Sequence, residues 1–382
     1  AWTALEALSE AQKALPEIRF VRARVAYERG QHEVALAALD HLEVVLPLLV
    51  DDVLRLRAEA SREVGPYVPA GDYFFARGGP AQWLKAGDAF EKGKEPVRAK
   101  AAYDRVLAHD KRTFAQEVEA RGRRMRLLGD VQDARWIALK APASSWGEAA
   151  DALLAKADAA HPLSADELLQ RARAFGDAGK ADLGAKTLER IAGAPGRAPR
   201  YVERVRARAD VLYRARTRYA EAARLFAEAA NLAGKGGDED AFLAARCLAR
   251  ANRDDEAIVA YQAMARRYPK SRFADDATYL APYLHLLHGR GREAAMGFER
   301  YLTAFPQGSQ RSDAKRNLAL ARLLARDYKA ARTLYEALAD DDRSDPFAKS
   351  RMLSFAGLAA LRDGDRTHAI ARWTETVKTL PL

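Results

Sequence analysis

Cysteine is almost missing from this chain: Cys247 is the only one in 382 residues. A single thiol excludes an internal disulfide and any metal cluster built on cysteines, and its scarcity suits cytoplasm and periplasm alike. Cys247 falls on an apolar helical stripe and reads as a small core residue. No run of about 18 apolar residues occurs, so nothing is predicted to span a membrane. No stretch alternates apolar and polar residues, with β-branched enrichment, for long enough to be a strand. A nucleophile elbow, a dinucleotide fingerprint and a zinc signature are likewise missing, and neither a catalytic nor a cofactor-binding residue is assigned. Gly176-Asp177-Ala178-Gly179-Lys180 comes nearest to a phosphate loop. There Ala181 stands where Ser or Thr must hold the metal, and a helical pattern precedes it, so it reads as a turn. The seven histidines are scattered. His285 and His288 lie three apart on one helix but have no third ligand nearby, so no metal site is assigned.

What the chain does have is one pattern four times over between 238 and 382. Ala257 and Tyr261 are followed by Tyr268-Pro269. Ala294 and Phe298, each 37 positions on, are followed by Phe305-Pro306. Ala331 and Tyr335 lie another 37 on, and Ala369 and Trp373 a further 38, before Leu380-Pro381. A small residue four before an aromatic, closed by proline, marks the second helix of a helix–turn–helix repeat. The small residue admits a partner helix, the aromatic fills the groove behind it, and proline lacks the amide to continue. First helices precede each copy: Ala244, Cys247, Leu248 and Ala251 share one face, as do Ala314, Leu318, Ala321 and Ala325. Such a pair buries its apolar face only by stacking on a neighbour. The prediction is an all-α fold, a superhelical solenoid of tetratricopeptide-like repeats, which also accommodates a length beyond that of an ordinary single domain.

Three stretches of one continuous solenoid follow: irregular helical repeats over 1–140, middle repeats over 141–237 and the regular array over 238–382. Ala141-Pro142-Ala143-Ser144-Ser145, a cluster of turn formers, sets the first boundary, and Gly234-Lys235-Gly236-Gly237 the second. Helices are predicted over 3–15, 32–46, 113–128 and 146–161 among others, with a loop over 193–199. Ser164 is placed to cap the helix after Pro162. Ala99 with Tyr103, and Ala222 with Phe226, repeat the spacing of four. Ala1-Trp2 opens directly into helical sequence, and Leu380-Pro381-Leu382 stops where a repeat should hand over to another helix. Both ends predict a piece cut from a longer protein, its leader removed if it is exported.

Charge is the remaining signal. Lys and Arg total 63 against 53 Asp and Glu, a net charge of +10. That balance suits an anionic partner, although a composition rich in Arg and Ala throughout accounts for it without one. Basic residues concentrate at Arg121, Arg123, Arg124 and Arg126, and again over 200–218. On the second helix Val202, Val205, Ala209 and Leu212 face inward, leaving Arg200, Arg204 and Arg208 on the opposite side as contacts for an anionic ligand. No exposed aromatics interleave with them and no reading helix accompanies them, so nucleic acid is not expected as a partner. Asp51-Asp52 and Asp340-Asp341-Asp342 fall in polar turns at helix ends, where solvation and capping explain them better than acid–base chemistry.

The order of these pieces resembles the helical superhelix of soluble lytic transglycosylases. The residues that carry it are Ala244-Ala245-Arg246-Cys247-Leu248-Ala249-Arg250 running into Asn252-Arg253-Asp254-Asp255-Glu256-Ala257, and Tyr268-Pro269-Lys270-Ser271 followed by Ala274-Asp275-Asp276-Ala277. The Gly364-Asp365 turn, Ala369 with Trp373, the terminal Leu380-Pro381-Leu382, and the early run from Leu46-Pro47 to Asp51-Asp52 add to it. The resemblance implies a periplasmic location and a partner in peptidoglycan or its fragments, with envelope proteins as further partners. In that family a lysozyme-like domain after the superhelix cleaves the glycan with a glutamate in a Glu-Ser motif, followed later by Gly-Leu-Met-Gln. Neither motif occurs here, so no catalytic residue carries over. The implied role is a non-catalytic scaffold that holds glycan strands for a catalytic domain outside this sequence. The rival expectation is a tetratricopeptide-type adaptor of the bacterial envelope that takes protein partners on its concave face.

Overall fold

Small side chains set how closely two helices can approach, and alanine fills most of those places in this protein. A computed structural model describes residues 2–194, 200–341 and 345–379. Among these residues the chain is all-α, with 24 α-helices, three short 3-10 turns and no strand. Consecutive helices pack as hairpins, as the repeat pattern predicts. Two compact units result, one covering residues 2–174 and the other beginning at Phe175.

In the first unit Pro16–Glu28 pairs with His32–Ala38, Val50–Val64 with Tyr67–Arg77, and Pro80–Lys92 with Pro96–Ala108. Phe114–Leu128 and Val131–Lys140 follow, then Gly147–Ala157. Phe74, Phe90 and Tyr103 are buried among Ala86, Ala99 and Ala102. Burying each aromatic contributes about 1.5–3 kcal/mol.

Three predicted helices are shorter than the periodicity suggests. The stretch 32–46 breaks after Ala38, and His41 adopts a left-handed backbone with φ 53° before a short helix at Leu42–Val45. The break lets both Leu39 and Leu42 reach the core beside Phe20 and Val53. The stretch 146–161 ends at Ala157, because the Asp158 carboxylate is held by Arg135 at 3.1 Å and by His161 at 2.8 Å. The stretch 3–15 divides at Ser9, whose hydroxyl accepts from the Gln12 amide at 3.3 Å while the Gln12 side chain accepts from the Ser9 amide at 3.0 Å. Ser164 caps its helix as expected, accepting from the Glu167 amide at 3.3 Å. Residues 195–199, Asp342 and the closing Leu380-Pro381-Leu382 lie outside the described residues.

The second unit runs through Ala181–Glu189 and the hairpin of Tyr201–Arg214 with Tyr219–Ala233 into the regular array. The first repeat is Asp238–Arg250 with Asp254–Arg267, and the second is Ala274–Leu287 with Gly291–Ala304. The third is Arg311–Leu324 with Tyr328–Asp341, and the fourth Pro346–Arg362 with Arg366–Thr379. Ala257, Ala294, Ala331 and Ala369 are fully buried, and Tyr261, Phe298 and Tyr335 fill the space beside them. In the fourth repeat a Cβ on Gly357 would lie 2.5 Å from the Trp373 ring nitrogen, so only glycine leaves room for that indole. The ring nitrogen itself donates to the Ser354 carbonyl at 3.2 Å.

The connectors between repeats are tied down by buried phenols. Tyr301, fully buried, donates to the Asp275 carboxylate at 2.6 Å and accepts from the Gln310 amide at 3.0 Å. Asp275 also accepts from the Ser309 amide at 2.8 Å. One repeat earlier the Tyr268 hydroxyl donates to the Gly234 carbonyl at 2.8 Å, and the Ser271 hydroxyl to Asp238 at 2.6 Å.

Candidate functional site

Most arginines of this chain meet a carboxylate of the chain itself. Asp133, fully buried, accepts from Arg121 at 2.9 Å and from Arg124 at 2.5 and 2.8 Å. Arg123 reaches Asp88 and Glu119, both at 2.6 Å, and Arg126 reaches Glu91 at 2.7 Å. The basic cluster over 121–126 is therefore an internal ion-pair network. In the second unit Asp240, buried at the start of the regular array, is gripped by Arg206 through contacts at 2.8 and 2.5 Å. Arg123 and Glu119 are four apart on one helix, but nothing in local sequence announces the other pairs, whose partners lie 9 to 35 positions away.

Arg200, Arg204 and Arg208 are all exposed, while Val205, Ala207, Ala209, Val211 and Leu212 of the same stretch are buried. Each has a neighbour that tempers it. Arg200 pairs with Glu203 at 3.3 Å and Arg208 with Glu221 at 3.0 Å. Arg204 lies over the Tyr201 ring at 5.9 Å, and the Tyr201 hydroxyl donates to Glu228 at 2.9 Å. An anion arriving there has to compete with carboxylates already in place.

A different place in the same unit has open cations. A groove of about 590 Å³ lies in the first two regular repeats. Its floor is the first helix of the second repeat, through Ala274, Thr278, Ala281, Pro282 and His285. Its walls are the second helices of the two repeats, with Gln262, Ala265 and Arg266 on one side and Met296, Gly297 and Arg300 on the other. The recess thus opens between second helices, and the first helix of the first repeat takes no part in it. The expectation of binding across a concave face did not single out this position.

Sequence explains the shape of the groove. Gly297 sits against Pro282, where a Cβ would lie 2.4 Å from the proline ring, so the floor and one wall meet closely. Pro282, inside its helix, carries no amide hydrogen. The Thr278 carbonyl one turn earlier therefore lacks its helical donor, and Thr278 also lines the groove. The Nδ1 atom of His285 is buried without a hydrogen-bond partner. Burial first, and then the Arg290 charge, lower the pKa of this imidazole and favour its neutral form. Met296 is 62% exposed, an apolar side chain left in solvent. Arg266 and Arg300 are exposed and have no ion-pair partner among the described residues. Glu293 is the one acid in the lining.

Pro269 also lines a second recess of about 620 Å³, together with Gly234, Lys235, Asp238, Arg267, Tyr268, Lys270 and Ser271. Asp238 is engaged by the Ser271 hydroxyl and Arg267 by the Asn231 side chain at 2.8 Å, whereas Lys235 and Lys270 have no partner among the described residues. Neither recess holds a pair of carboxylates. Of the histidines noted in the sequence, His285 lines the groove and His288 contacts Asp254 at 2.8 Å. Among the described residues no group of three or more His, Cys, Asp or Glu is placed to hold a metal, and no helix is long and apolar enough to cross a membrane.

Residues 241–271, which include Gln262, Ala265 and Arg266 of one wall and Pro269, match the tetratricopeptide repeat family model. The array is tetratricopeptide-like. No curated protein matches the chain. Among solved structures this tetratricopeptide-like chain is similar to yeast Tom70, with 15% identity and a TM-score of 0.35 over 98% of this chain and 93% of that one. It is also similar to a signal-transduction ATPase with a tetratricopeptide repeat sensor from Pyrococcus horikoshii, with 13% identity and a TM-score of 0.40 over 85% and 54% of the two chains. BtubC from P. vanneervenii has 14% identity and a TM-score of 0.36 over 57% and 91%.

Proposed function

We propose that the chain is a non-catalytic adaptor of the bacterial envelope that holds a protein partner in the groove between its second helices. The observation that carries this reading is the groove itself. It combines an apolar floor, an exposed methionine and two unpaired arginines, which are the features of a recognition surface. A hydrolytic site needs a pair of carboxylates set for acid–base work, and here Glu293 stands alone. To test the proposal, a photocrosslinking residue is placed at Met296 in the native host. A discrete protein adduct that disappears when the crosslinker is moved to the far face of the same helix supports an adaptor. Absence of any protein adduct counts against it.

A second reading makes the chain the helical scaffold of a periplasmic lytic transglycosylase, orienting peptidoglycan for a catalytic domain. It is favoured by the transglycosylase-like run at 268–277, of which Pro269 and Ala274 line the groove, and by the run at 244–257 in the neighbouring hairpin. Peptidoglycan carries free carboxylates, and Arg200, Arg204 and Arg208 are exposed to meet them. On this reading the chain co-sediments with purified sacculi at low salt, and charge reversal of these three arginines lowers the sedimented fraction. Sedimentation unchanged by the triple variant removes the arginines from the proposal. Failure of the parent chain to sediment removes the glycan.

A further inference from the structure

We infer that the groove and the recess beyond Pro269 together bind an acidic peptide segment that places an apolar side chain between carboxylates. This inference names the occupant of the site proposed above and rests on that reading. Three observations converge on it. The first is apolar surface open to solvent: Met296 is exposed and Phe305 half-buried in a lining that runs over buried Ala281 and Pro282. Transferring an apolar side chain of the partner onto this surface supplies the non-directional part of the affinity.

The second observation is charge. Among the described residues Arg266 and Arg300, on opposite walls, have no ion-pair partner, and neither do Lys235 and Lys270 in the adjoining recess. Asp238, the acid of that recess, already accepts from Ser271. Carboxylates of the occupant complement these four cations, and Glu293 at the groove disfavours carboxylates at its own position.

The third observation is polar capacity on the floor. Proline at 282 leaves the Thr278 carbonyl without its helical donor, and the buried Nδ1 of His285 has no partner. Backbone amides of a peptide can donate to the first. A fatty acid offers one carboxylate and no amides, so it satisfies neither the spread of cations across both recesses nor the carbonyl. A peptide satisfies both.

The test uses the whole chain and two fluorescein-labelled peptides, Glu-Leu-Glu-Phe-Glu-Leu-Glu and the same peptide with every glutamate replaced by glutamine. Fluorescence anisotropy is expected to show the acidic peptide binding at least ~10-fold more tightly than its neutral counterpart, and weakening as salt is raised. The R266E/R300E double variant is expected to lose ~10-fold or more of that affinity, and Met296→Glu to weaken it as well. Arg292→Glu, an exposed charge reversal on the same helix but outside the lining, is expected to leave it unchanged. All of these positions are exposed, so the variants should keep the helical spectrum of the parent. Equal binding of the two peptides, or indifference to R266E/R300E, overturns the inference. So does saturable binding of laurate with no binding of either peptide, which would make the groove a small-molecule site. A protein adduct at Met296 alongside charge-indifferent peptides would leave the adaptor standing and remove only the acidic occupant.

Discussion

Single residues here are decided by neighbours that are distant in sequence. Cys247 illustrates what could be read in advance: its place on an apolar stripe predicted a core residue, and the thiol is fully buried, its pKa pushed up to about 12 by burial, with nearby Arg250 and Arg246 opposing. The folded protein should therefore leave Cys247 unreacted with Ellman's reagent, and reaction should appear only when denaturant unfolds its repeat. Rapid labelling of native protein would place the thiol at a surface. Glu43 illustrates what could not be read. Its partner Arg57 lies 14 positions away, and the pairing holds the carboxyl down to about 2, chiefly through the hydrogen bonds from Arg57. Because the folded value lies below the ordinary one of 4.5, the pair stabilises the fold above that pH, and the contribution fades as pH falls toward about 2. Replacing Glu43 with glutamine should cost about 1 kcal/mol near neutral pH, discounted for partial exposure. Thermal melts of the two proteins should converge in acid, and a constant gap would assign the effect to packing. The same long reach explains why the arginines of 121–126 looked like a basic patch. Composition shows their charge, whereas only the fold shows Asp88, Asp104 and Asp133 beside them.

At the scale of elements, the 37-residue spacing placed the second helix of each regular repeat, because small and aromatic residues recur where helices must touch. It gave less where a helix is ended by tertiary contacts, as at Asp158 under Arg135 or at the left-handed His41. The groove was illegible for a related reason: its walls come from two repeats, and its key residues, Arg266, Met296 and Arg300, break no local pattern. Packing in the fourth repeat gives a sharp test. Gly357→Ala pushes a methyl against the Trp373 indole and should cost about 1–3 kcal/mol in chemical denaturation. With Trp373 already replaced by alanine the same change should become neutral or stabilising, since alanine is the better helix former by about 1 kcal/mol. An equal cost in both backgrounds would show that the indole is not what excludes the methyl.

For the molecule as a whole, stacked hairpins make stability local. Each repeat contacts its neighbours, so Gly357→Ala should raise amide exchange in Pro346–Arg362 and Arg366–Thr379 and leave Tyr67–Arg77 and Pro80–Lys92 unchanged. Uniform loosening would mean a single cooperative fold. The chemistry follows the same logic. The buried acids Asp133 and Asp240 are clasped by arginines between helices and line neither recess. Incubation of this chain with sacculi should accordingly release no anhydro-muropeptides above a buffer control by mass spectrometry; their release would reveal a missed active site. The buried hydroxyl of Tyr301 bears on evolution and engineering. By gripping Asp275 and Gln310 at once it works as a ruler for the linker between two repeats, so that linker's length is not free to drift. Extra residues inserted there would have to detach a buried phenol before the next repeat could seat. Lengthening or grafting of this array is therefore better tolerated at the exposed turn within a repeat, around Gly289, than at the seam between repeats.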